Sequence, residues 1–398
     1  MIRPHLLAIL YAALAVSGCG TSKSQASDPP APILDTARIE ASRRNPFSGT
    51  RFFINPDYVA QVEQAALLAP AEAETIRKVE QYPTGLWINS IDQVAKIPIW
   101  LDAARQQQRT NSLPTLSVLV VHNLPNRDCS AKSSAGELKV GENGLNRYRN
   151  EFIDPIAAHF QAYRDLPIVV ILEPYSLANL TTNLTIPACA EAREAYLEAT
   201  AYAIQKLGLP NVSIYLDAAH SGWLGWDQNR EKVAKLFKEV LKLAGGLDTI
   251  RGFATNVANY SHLSNRDGLG LDPTNPCYNE TVYVNKLAVT LGEHGFRGKG
   301  FIIDTSRNGW GKIRRTWGSW CNVKDAGLGE RPMADPDVFV DAYFWVKPPG
   351  ESDGGSDPTN PHFEPACASP DSASGAPPAG EWFQSHFLDL VRNAKPPL

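Results

Sequence analysis

The sequence predicts an α/β protein whose parallel sheet is closed, or nearly closed, into a barrel. Three observations predict it: short β-rich runs alternate with helix-like stretches from Asn45 onward, the β-rich runs are almost unbroken in apolar residues, and about seven such units follow one another. Strand–helix alternation favours βαβ units around a parallel sheet, whose strands are apolar because both faces are covered. The length of 398 residues also falls within the range of a single α/β barrel domain, about 250 to over 400 residues.

The elements follow in a regular order. The strands are predicted at Gly85–Ile88, Thr115–His122, Pro167–Leu172, Val212–Leu216, Gly252–Ala254, Gly300–Ile303 and Ala342–Val346. The helices, whose apolar residues recur every three to four positions, are predicted at Asp57–Gln81, Ile91–Gln108, Asn146–Tyr163, Ala188–Leu207, Gln228–Ala244 and Asn279–Glu293. Because the carboxyl ends of parallel strands share one rim, the residues that follow each strand are expected to meet there.

The first residues are predicted to be a targeting segment. Residues 1–18 have an early Arg3 and an apolar run, Leu6 to Val16, which is too short to span a bilayer and is typical of a secretory signal. The string Val16-Ser17-Gly18-Cys19 resembles a bacterial lipoprotein signal, in which Cys19 carries the lipid anchor; an ordinary cleaved signal is the alternative. Both interpretations predict export. Residues 19–44 are polar and predict a tether, and residues 45–398 predict one domain.

Composition excludes several classes of function. Lys and Arg number 38, Asp and Glu 42, and the net charge is −4 without a basic stripe, so no nucleic-acid partner is expected. No Walker, dinucleotide-binding or H-E-x-x-H motif occurs in a suitable context, and we expect no cofactor, no metal and a monomer. Apart from Cys19 the cysteines are odd in number and lack C-x-x-C spacing, which favours disulfides with at least one thiol left over; they are Cys129, Cys189, Cys277, Cys321 and Cys367.

Polar and aromatic residues follow nearly every predicted strand. They include Trp87, Asn89, His122, Asp128, Glu173, Asp217, His220, Trp223, Trp226, Asn256, Asn259, Asp304, Lys347, Glu351 and Asp353. One such aspartate alone is better explained as a helix cap, but the recurrence favours a shared site. Indole faces stack on sugar rings while polar groups bind the hydroxyls. Two carboxyl groups flanking a glycosidic bond can hydrolyse it, so the rim predicts a carbohydrate site.

Several sequence blocks resemble glycoside hydrolase family 6, the cellobiohydrolases and endoglucanases that act on cellulose. These blocks keep the family's order from about residue 45 to the C-terminus. They are N-P-F-x-G from Asn45, L-P-N-R-D-C from Leu124, I-L-E-P-x-S-L-A-N-L from Ile171, Y-L-D-A-x-H-x-G-W-L-G-W from Tyr215, A-T-N-V-A-N-Y from Ala254, W-C-N-V from Trp320 and W-V-K-P-P-G-E-S-D-G from Trp345.

The resemblance implies a distorted seven-stranded parallel β/α barrel with an active-site tunnel or cleft at the carboxyl ends of the strands. It implies inverting hydrolysis of β-1,4-glucosidic bonds in cellulose or cello-oligosaccharides. The segment Gly350–Ala379 resembles the loop that roofs the tunnel in cellobiohydrolases, which favours exo-type action. The matching cysteines imply the bridges Cys129–Cys189 and Cys321–Cys367, with Cys277 free.

The resemblance also implies residue roles. Asp128 supports the proton donor and the water chain, Asp353 is the base, and Asp217 organises the site. Sugar binding is assigned to Trp87, Ser134, His220, Trp223, Trp226, Asn259, Trp320, Lys347 and Glu351.

Two positions depart from the family pattern. The family's proton donor is the Asp of E-P-D-S, where this chain has Tyr175, and the family's Tyr before the L-P-x-R-D-C block is His122. Tyrosine has an ordinary pKa of about 10, against about 3.9 for aspartic acid, so it is a weak acid.

Three interpretations of Tyr175 remain open: an inactivating substitution, a natural relative with little catalysis, and an enzyme that uses another acid. The predicted function is therefore a cellobiohydrolase-like hydrolase impaired at the general-acid position. The alternative is a cell-surface β-glucan-binding protein.

Overall fold

The computed structural model describes residues 44–265 and 271–398. The predicted signal peptide, the lipidation site at Cys19 and all but the last residue of the predicted tether lie outside the described residues. Within the described ranges, no helix has both the length and the apolar character that a membrane crossing requires.

The strands are short and mostly buried, as their apolar sequences predict. Their bounds are β1 Arg51–Phe52, β2 Leu86–Ile88, β3 Thr115–Val121, β4 Ile168–Leu172, β5 Val212–Asp217, β6 Gly252–Thr255, β7 Gly300–Asp304, β8 Met333–Asp337 and β9 Val340–Phe344. They form one sheet in the order β1-β3-β4-β5-β6-β7-β9-β8, and β2 also pairs with β3.

The predicted α/β class is confirmed, but the sheet is curled and mostly parallel rather than a seven-stranded parallel barrel. The described residues contain nine strands rather than seven. The two additional ones are β1, which pairs over two residues with the start of β3, and β8, which runs antiparallel to β9. Both escaped prediction because β1 is only two residues long and β8 has the sequence Met-Ala-Asp-Pro-Asp, whose proline and acids are unfavourable in strands.

The strands β2 and β9, from opposite sides of the curled parallel sheet, approach each other at one place, which we call the seam. Thr84, just before β2, forms an isolated parallel bridge with Trp345, just after β9. Gly85 N donates to Trp345 O at 2.9 Å, and the Trp87 indole donates to Val346 O at 2.9 Å.

Alternate residues of each strand face two different apolar layers. In β3, Leu116, Val118 and Val120 face the interior enclosed by the sheet, whereas Leu119 and Val121 face the surrounding helices. Both layers are buried, which accounts for the unbroken apolar runs in the sequence.

The helices are α1 Pro56–Leu68, α2 Ala73–Arg77, α3 Ile97–Arg109, α4 Gly144–Arg147, α5 Asp154–Ala162, α6 Ser176–Thr182, α7 Pro187–Leu207, α8 Ser221–Leu224, α9 Asp227–Leu243, α10 Glu280–Glu293 and α11 Gln384–Arg392. The predicted helix 57–81 is divided into α1, α2 and a 3₁₀ turn, because Pro70 follows the end of α1. The predicted helix 146–163 contains a π-helical stretch, Tyr148–Ile153, immediately before Pro155.

Candidate active site

A cavity of about 810 Å³ opens at the carboxyl ends of the parallel strands. Most of the predicted site residues line it: Trp87, His122, Asp128, Ser134, Tyr175, His220, Trp223, Asn259, Trp320, Lys347, Glu351 and Asp353. Asp217 and Trp226 are outside this lining. Asp217 lies directly behind Tyr175, and the Trp226 indole donates to Thr274 Oγ1 at 3.1 Å.

On one side of the cavity, Asp353 is held by a dense set of donors. Arg307 Nη1 lies 2.9 Å from both carboxylate oxygens. Tyr260 Oη and Asn322 N each donate to Asp353 Oδ2 at 2.8 Å. The Arg307 side chain is fully buried and that of Asp353 is 5% exposed. These four bonds fix the position of the carboxylate.

Next to Asp353, Lys347 and Glu351 form a second ion pair, with Nζ 3.0 Å from Oε2. Asp304, the last residue of β7, accepts from Ala258 N at 2.9 Å and from Lys347 N at 3.0 Å. Asp304 therefore ties together the loops that follow β6 and β9.

On the opposite side, Asp128 follows β3 in a left-handed backbone conformation, with φ of 54°. Its Oδ2 accepts from the Ser134 hydroxyl. Burial raises the pKa of Asp128, the Ser134 hydrogen bond and Arg127 lower it, and Glu364 raises it. The Arg127 guanidinium is directed to backbone carbonyls, including Ser134 O at 2.8 Å and His122 O at 2.6 Å.

Tyr175 lies in the turn between β4 and α6, also left-handed, with φ of 65°. Its backbone N–H donates to Asp217 Oδ1 at 2.9 Å, and its hydroxyl donates to Val257 O at 3.0 Å. Burial raises the pKa of Tyr175 well above its ordinary value, and the nearby carboxyls of Asp217, Asp128 and Asp353 raise it further. The phenol is therefore a weaker acid here than in water.

Asp217 and Glu173 are buried carboxyls that support the backbone. Asp217 Oδ1 also accepts from Ala219 N at 2.9 Å, and burial raises the pKa of Asp217 to about 7. Glu173 accepts from the backbone of Asn123 and Leu124 and from the Tyr148 hydroxyl. β4 ends at Leu172, and Glu173, with φ of 52°, turns out of the strand and is absent from the cavity lining.

His122 lies between two aromatic rings of the cavity wall. Its ring contacts Trp87 and Tyr175 edge to face, with centroid distances of 6.1 and 5.8 Å. Burial, followed by the charge of Arg127, lowers the pKa of His122 well below its ordinary value, so the imidazole is neutral at pH 7. The residue thus provides a polar edge without a charge.

Farther along the cavity, His220 Nε2 lies 3.1 Å from Asn259 Nδ2. Arg314 Nη1 donates to Asn259 Oδ1 at 3.0 Å. The Trp223 indole donates to Thr182 Oγ1 at 2.8 Å. These bonds fix the orientation of His220, Asn259 and Trp223 in the cavity wall.

Two disulfides, Cys129–Cys189 and Cys321–Cys367, are present where the resemblance implies them, and Cys277 is a buried free thiol. We call residues 129–136 the Ser134 loop and Gly350–Ala379 the roof segment. A Cβ added at Gly354 would lie 2.8 Å from Ser133 Cβ, so the two segments touch there. Glu364 Oε2 accepts from Lys132 N at 3.0 Å, which makes a second contact.

Sequence reasoning missed Arg307 and Glu364. Arg307 holds Asp353 from the end of β7, three residues after Asp304, and its position just beyond a strand was the available signal. Glu364 lines the cavity from the middle of the roof segment, where no strand or motif marked it. In the described part of the chain, no group of three or more His, Cys, Asp or Glu could hold a metal ion.

Comparison with known proteins supports one family. The profile described as "Glycosyl hydrolases family 6" matches residues 47–394. "Exoglucanase 3" of Agaricus bisporus is 41% identical over 357 residues, which cover 89% of this chain and 80% of that protein. "Exoglucanase 2" of Hypocrea jecorina is 40% identical over 356 residues, which cover 88% of this chain and 75% of that protein.

Solved structures give the same result. The catalytic core of the cellobiohydrolase Cel6A from Chaetomium thermophilum has a TM-score of 0.85 and 39% identity, covering 89% of this chain and 99% of that one. Cellobiohydrolase II (Cel6A) from Humicola insolens, in complex with glucose and cellotetraose, has a TM-score of 0.85 and 36% identity, covering 89% and 100%. The match of profile, sequence and fold over almost all of the described residues shows that the chain belongs to glycosyl hydrolase family 6.

Proposed function

We propose that the protein is a cellobiohydrolase-type cellulase, which hydrolyses β-1,4-glucosidic bonds of cellulose and cello-oligosaccharides with inversion. The observation that carries this proposal is the cavity, where tryptophans, hydroxyl-binding groups and carboxyls meet. Tryptophan faces suit glucose rings, and carboxyls on two sides of a glycosidic bond suit its hydrolysis. The names and ligands of the related cellobiohydrolases support the same substrate class.

The roof segment supports action from a chain end through a tunnel. It touches the Ser134 loop at Gly354 and again where Glu364 accepts from Lys132 N. A polymer enters a covered cavity by its end, whereas an open cleft accepts the middle of a chain. Exo action predicts that soluble sugar accumulates from swollen cellulose while the viscosity of carboxymethyl cellulose falls slowly; a rapid fall in viscosity would indicate endo action.

Asp353 is the proposed base, and the position of the proton donor is occupied by Tyr175. Arg307, Tyr260 and Asn322 hold the Asp353 carboxylate in the cavity wall, and its proposed role is to activate a water on the face of the sugar opposite the leaving group. The remaining assignments are those of the sequence analysis: Asp217 as an organising residue, with Trp87, Ser134, His220, Trp223, Trp226, Asn259, Trp320, Lys347 and Glu351 as sugar-binding residues.

We also propose that Tyr175 slows cleavage. Its hydroxyl donates to Val257 O, and its raised pKa opposes proton release. A positioned general acid contributes about 10²–10⁴-fold to rate, so its absence from position 175 lowers turnover by an amount in that range unless another group acts.

The decisive experiment compares turnover on cellohexaose with binding to amorphous cellulose, for the unaltered protein and for Tyr175→Asp. Turnover with tight binding supports the hydrolase. Tight binding without turnover in the unaltered protein, restored by the aspartate, supports the second candidate function, a β-glucan-binding protein. The Tyr175–Val257 hydrogen bond is the observation that favours this second candidate.

Export is part of the proposal. The two disulfides support an oxidising compartment, and residues 1–18 resemble a signal of the lipoprotein type with Cys19 as the anchor. Retention of a Cys19→Ser variant in the membrane fraction would contradict the lipid anchor.

A further inference from the structure

Four carboxyl side chains of the described residues line the cavity: Asp128, Glu351, Asp353 and Glu364. Two of them have cationic partners, because Asp353 pairs with Arg307 at 2.9 Å and Glu351 pairs with Lys347 at 3.0 Å. The other two form no ion pair within the described ranges. The carboxyls on the Asp353 side of the cavity are therefore paired with cations, whereas Asp128 and Glu364 on the opposite side have no cationic partner among the described residues.

Asp128 is the carboxyl on the second side whose surroundings favour the protonated form. Burial is the largest influence and raises its pKa, the Ser134 hydrogen bond lowers it, and the like charge of Glu364 adds a smaller increase. The nearest cation, Arg127, lowers that pKa but directs its N–H groups to Ser134 O and His122 O. Tyr175 and Tyr196 also face Asp128, and both are neutral because their pKa values are raised.

Glu364 is fixed over this side of the cavity by the roof segment. Its Oε2 accepts from Lys132 N at 3.0 Å. Because Lys132 belongs to the Ser134 loop, the bond places the Glu364 charge on the loop that also carries Ser134, the hydroxyl donor to Asp128.

We propose that Asp128 is the general acid of this chain and that Glu364, held against the Ser134 loop on the same side of the cavity, is a positioning residue for Asp128. This inference rests on the proposed hydrolysis. In the step, the Asp128 carboxyl transfers its proton to the glucosidic oxygen as the bond from that oxygen to the anomeric carbon breaks. Water adds to the anomeric carbon as its proton passes to the Asp353 carboxylate, which later releases that proton to solvent. Asp128 is left as a carboxylate and takes a proton from solvent before the next turnover.

The other acids near position 175 are less suitable. The Tyr175 proton is directed to Val257 O. Asp217 has a raised pKa of about 7, but it is 3% exposed and lies behind Tyr175, outside the lining of the cavity. Asp128 combines access to the cavity with surroundings that favour its protonated form.

The test uses two substrates that differ in their need for an acid. Cellohexaose has a poor leaving group that must be protonated, whereas the fluoride of β-cellobiosyl fluoride leaves without a proton donor. We expect Asp128→Asn to lower turnover of cellohexaose by about 10²–10⁴-fold and that of the fluoride by less than about tenfold. We expect Tyr175→Phe, which removes only the hydroxyl, to lower the turnover of cellohexaose far less than Asp128→Asn does.

The pH profile tests Glu364. Activity requires protonated Asp128, so it is lost as pH rises through the pKa of Asp128. Glu364→Gln removes the like charge, lowers that pKa, and should move the alkaline limb to lower pH. Asp357→Asn is the matched control, since Asp357 is an exposed acid of the same roof segment outside the lining and should leave the limb unchanged.

Three results would overturn the assignment. They are equal losses on both substrates for Asp128→Asn, a loss for Tyr175→Phe as large as that for Asp128→Asn on cellohexaose, and an alkaline limb that does not respond to Glu364→Gln. By contrast, a protein that binds cellulose but hydrolyses neither substrate would reject the proposed hydrolysis itself.

Discussion

The two sides of the cavity are built differently. On the Asp353 side, one carboxylate accepts four hydrogen bonds, two of them from the buried Arg307 with which it forms an ion pair. The Tyr175 side has two departures from the family pattern, Tyr175 and His122, whose rings contact each other. The comparison teaches that the proposed base and the proposed proton-donor position are held by different means, the first by side-chain donors and the second by its own backbone N–H and hydroxyl.

The largest effect is expected from removing the Asp353 charge. Asp353→Asn should lower turnover of cello-oligosaccharides by about 10²–10⁴-fold, because the base is lost. It also leaves the buried Arg307 without its counter-ion, which costs about 3–5 kcal/mol of folding stability. The measurement is turnover per folded molecule, with unfolding followed in parallel.

Asp341→Asn is the matched control for that loss of stability. Asp341 pairs with Arg251 at 2.6 Å and both side chains are buried, but neither lines the cavity. It should destabilise the protein while turnover per folded molecule stays unchanged. Equal losses of turnover in the two variants would show that Asp353 acts through stability alone.

The next effect is a gain on the other side. Tyr175→Asp should raise turnover of cello-oligosaccharides by at most about 10²-fold, the lower end of the contribution of a general acid, because Asp128 already acts as an acid in our proposal and His122 remains in place of the expected tyrosine. Adding His122→Tyr should increase the gain. The measurement is kcat on cellohexaose, and an unchanged kcat would mean that Tyr175 does not limit the reaction.

A smaller effect, on the affinity for cello-oligosaccharides, is expected from removing Trp223 from the cavity wall. Trp223→Ala removes a stacking face worth about 1 kcal/mol and should weaken cello-oligosaccharide binding about five- to tenfold. Calorimetric titration measures it in the Asp353→Asn background, where cleavage is slow. Trp310→Ala, an exposed indole outside the lining, is the control that should leave the affinity unchanged.

The smallest expected effect is on the pH dependence of folding stability, through Asp217, which accepts a hydrogen bond from the Tyr175 backbone. Its pKa is raised to about 7 in the folded protein, against about 3.9 in the unfolded chain. The unfolded chain therefore binds fewer protons between these values, and Asp217 lowers stability as pH rises from about 4 to 7. Asp217→Asn can still accept from Tyr175 N and Ala219 N. Its melting temperature should exceed that of the unaltered protein by more at pH 8 than at pH 4, and an equal difference at both would contradict the raised pKa.

The sequence predicts elements where one physical pattern dominates. The apolar runs of β3 and β4 reflect burial on both faces, which is visible in a single segment. The short β1 and the acidic β8 depend on pairing with distant strands, and no local pattern reports such pairing. Arg307 is similar, since its contact with Asp353 joins residues 46 positions apart. Site residues were predictable where they followed strands, and Glu364 was not, because only the folding of the roof segment brings it to the cavity.

The seam between β2 and β9 has a mechanical consequence. Strands inside the sheet are joined over several residues, whereas the seam depends on one bridge and a few hydrogen bonds around Gly85 and Trp87. A Cβ at Gly85 would lie 2.2 Å from Val346 O, so only glycine allows this closure. Since Trp87 and Lys347 of the cavity wall lie beside the seam, its local opening would change the width of the cavity without unfolding the remainder of the sheet. The seam is therefore the least strongly joined part of the curled sheet, and it lies beside the cavity.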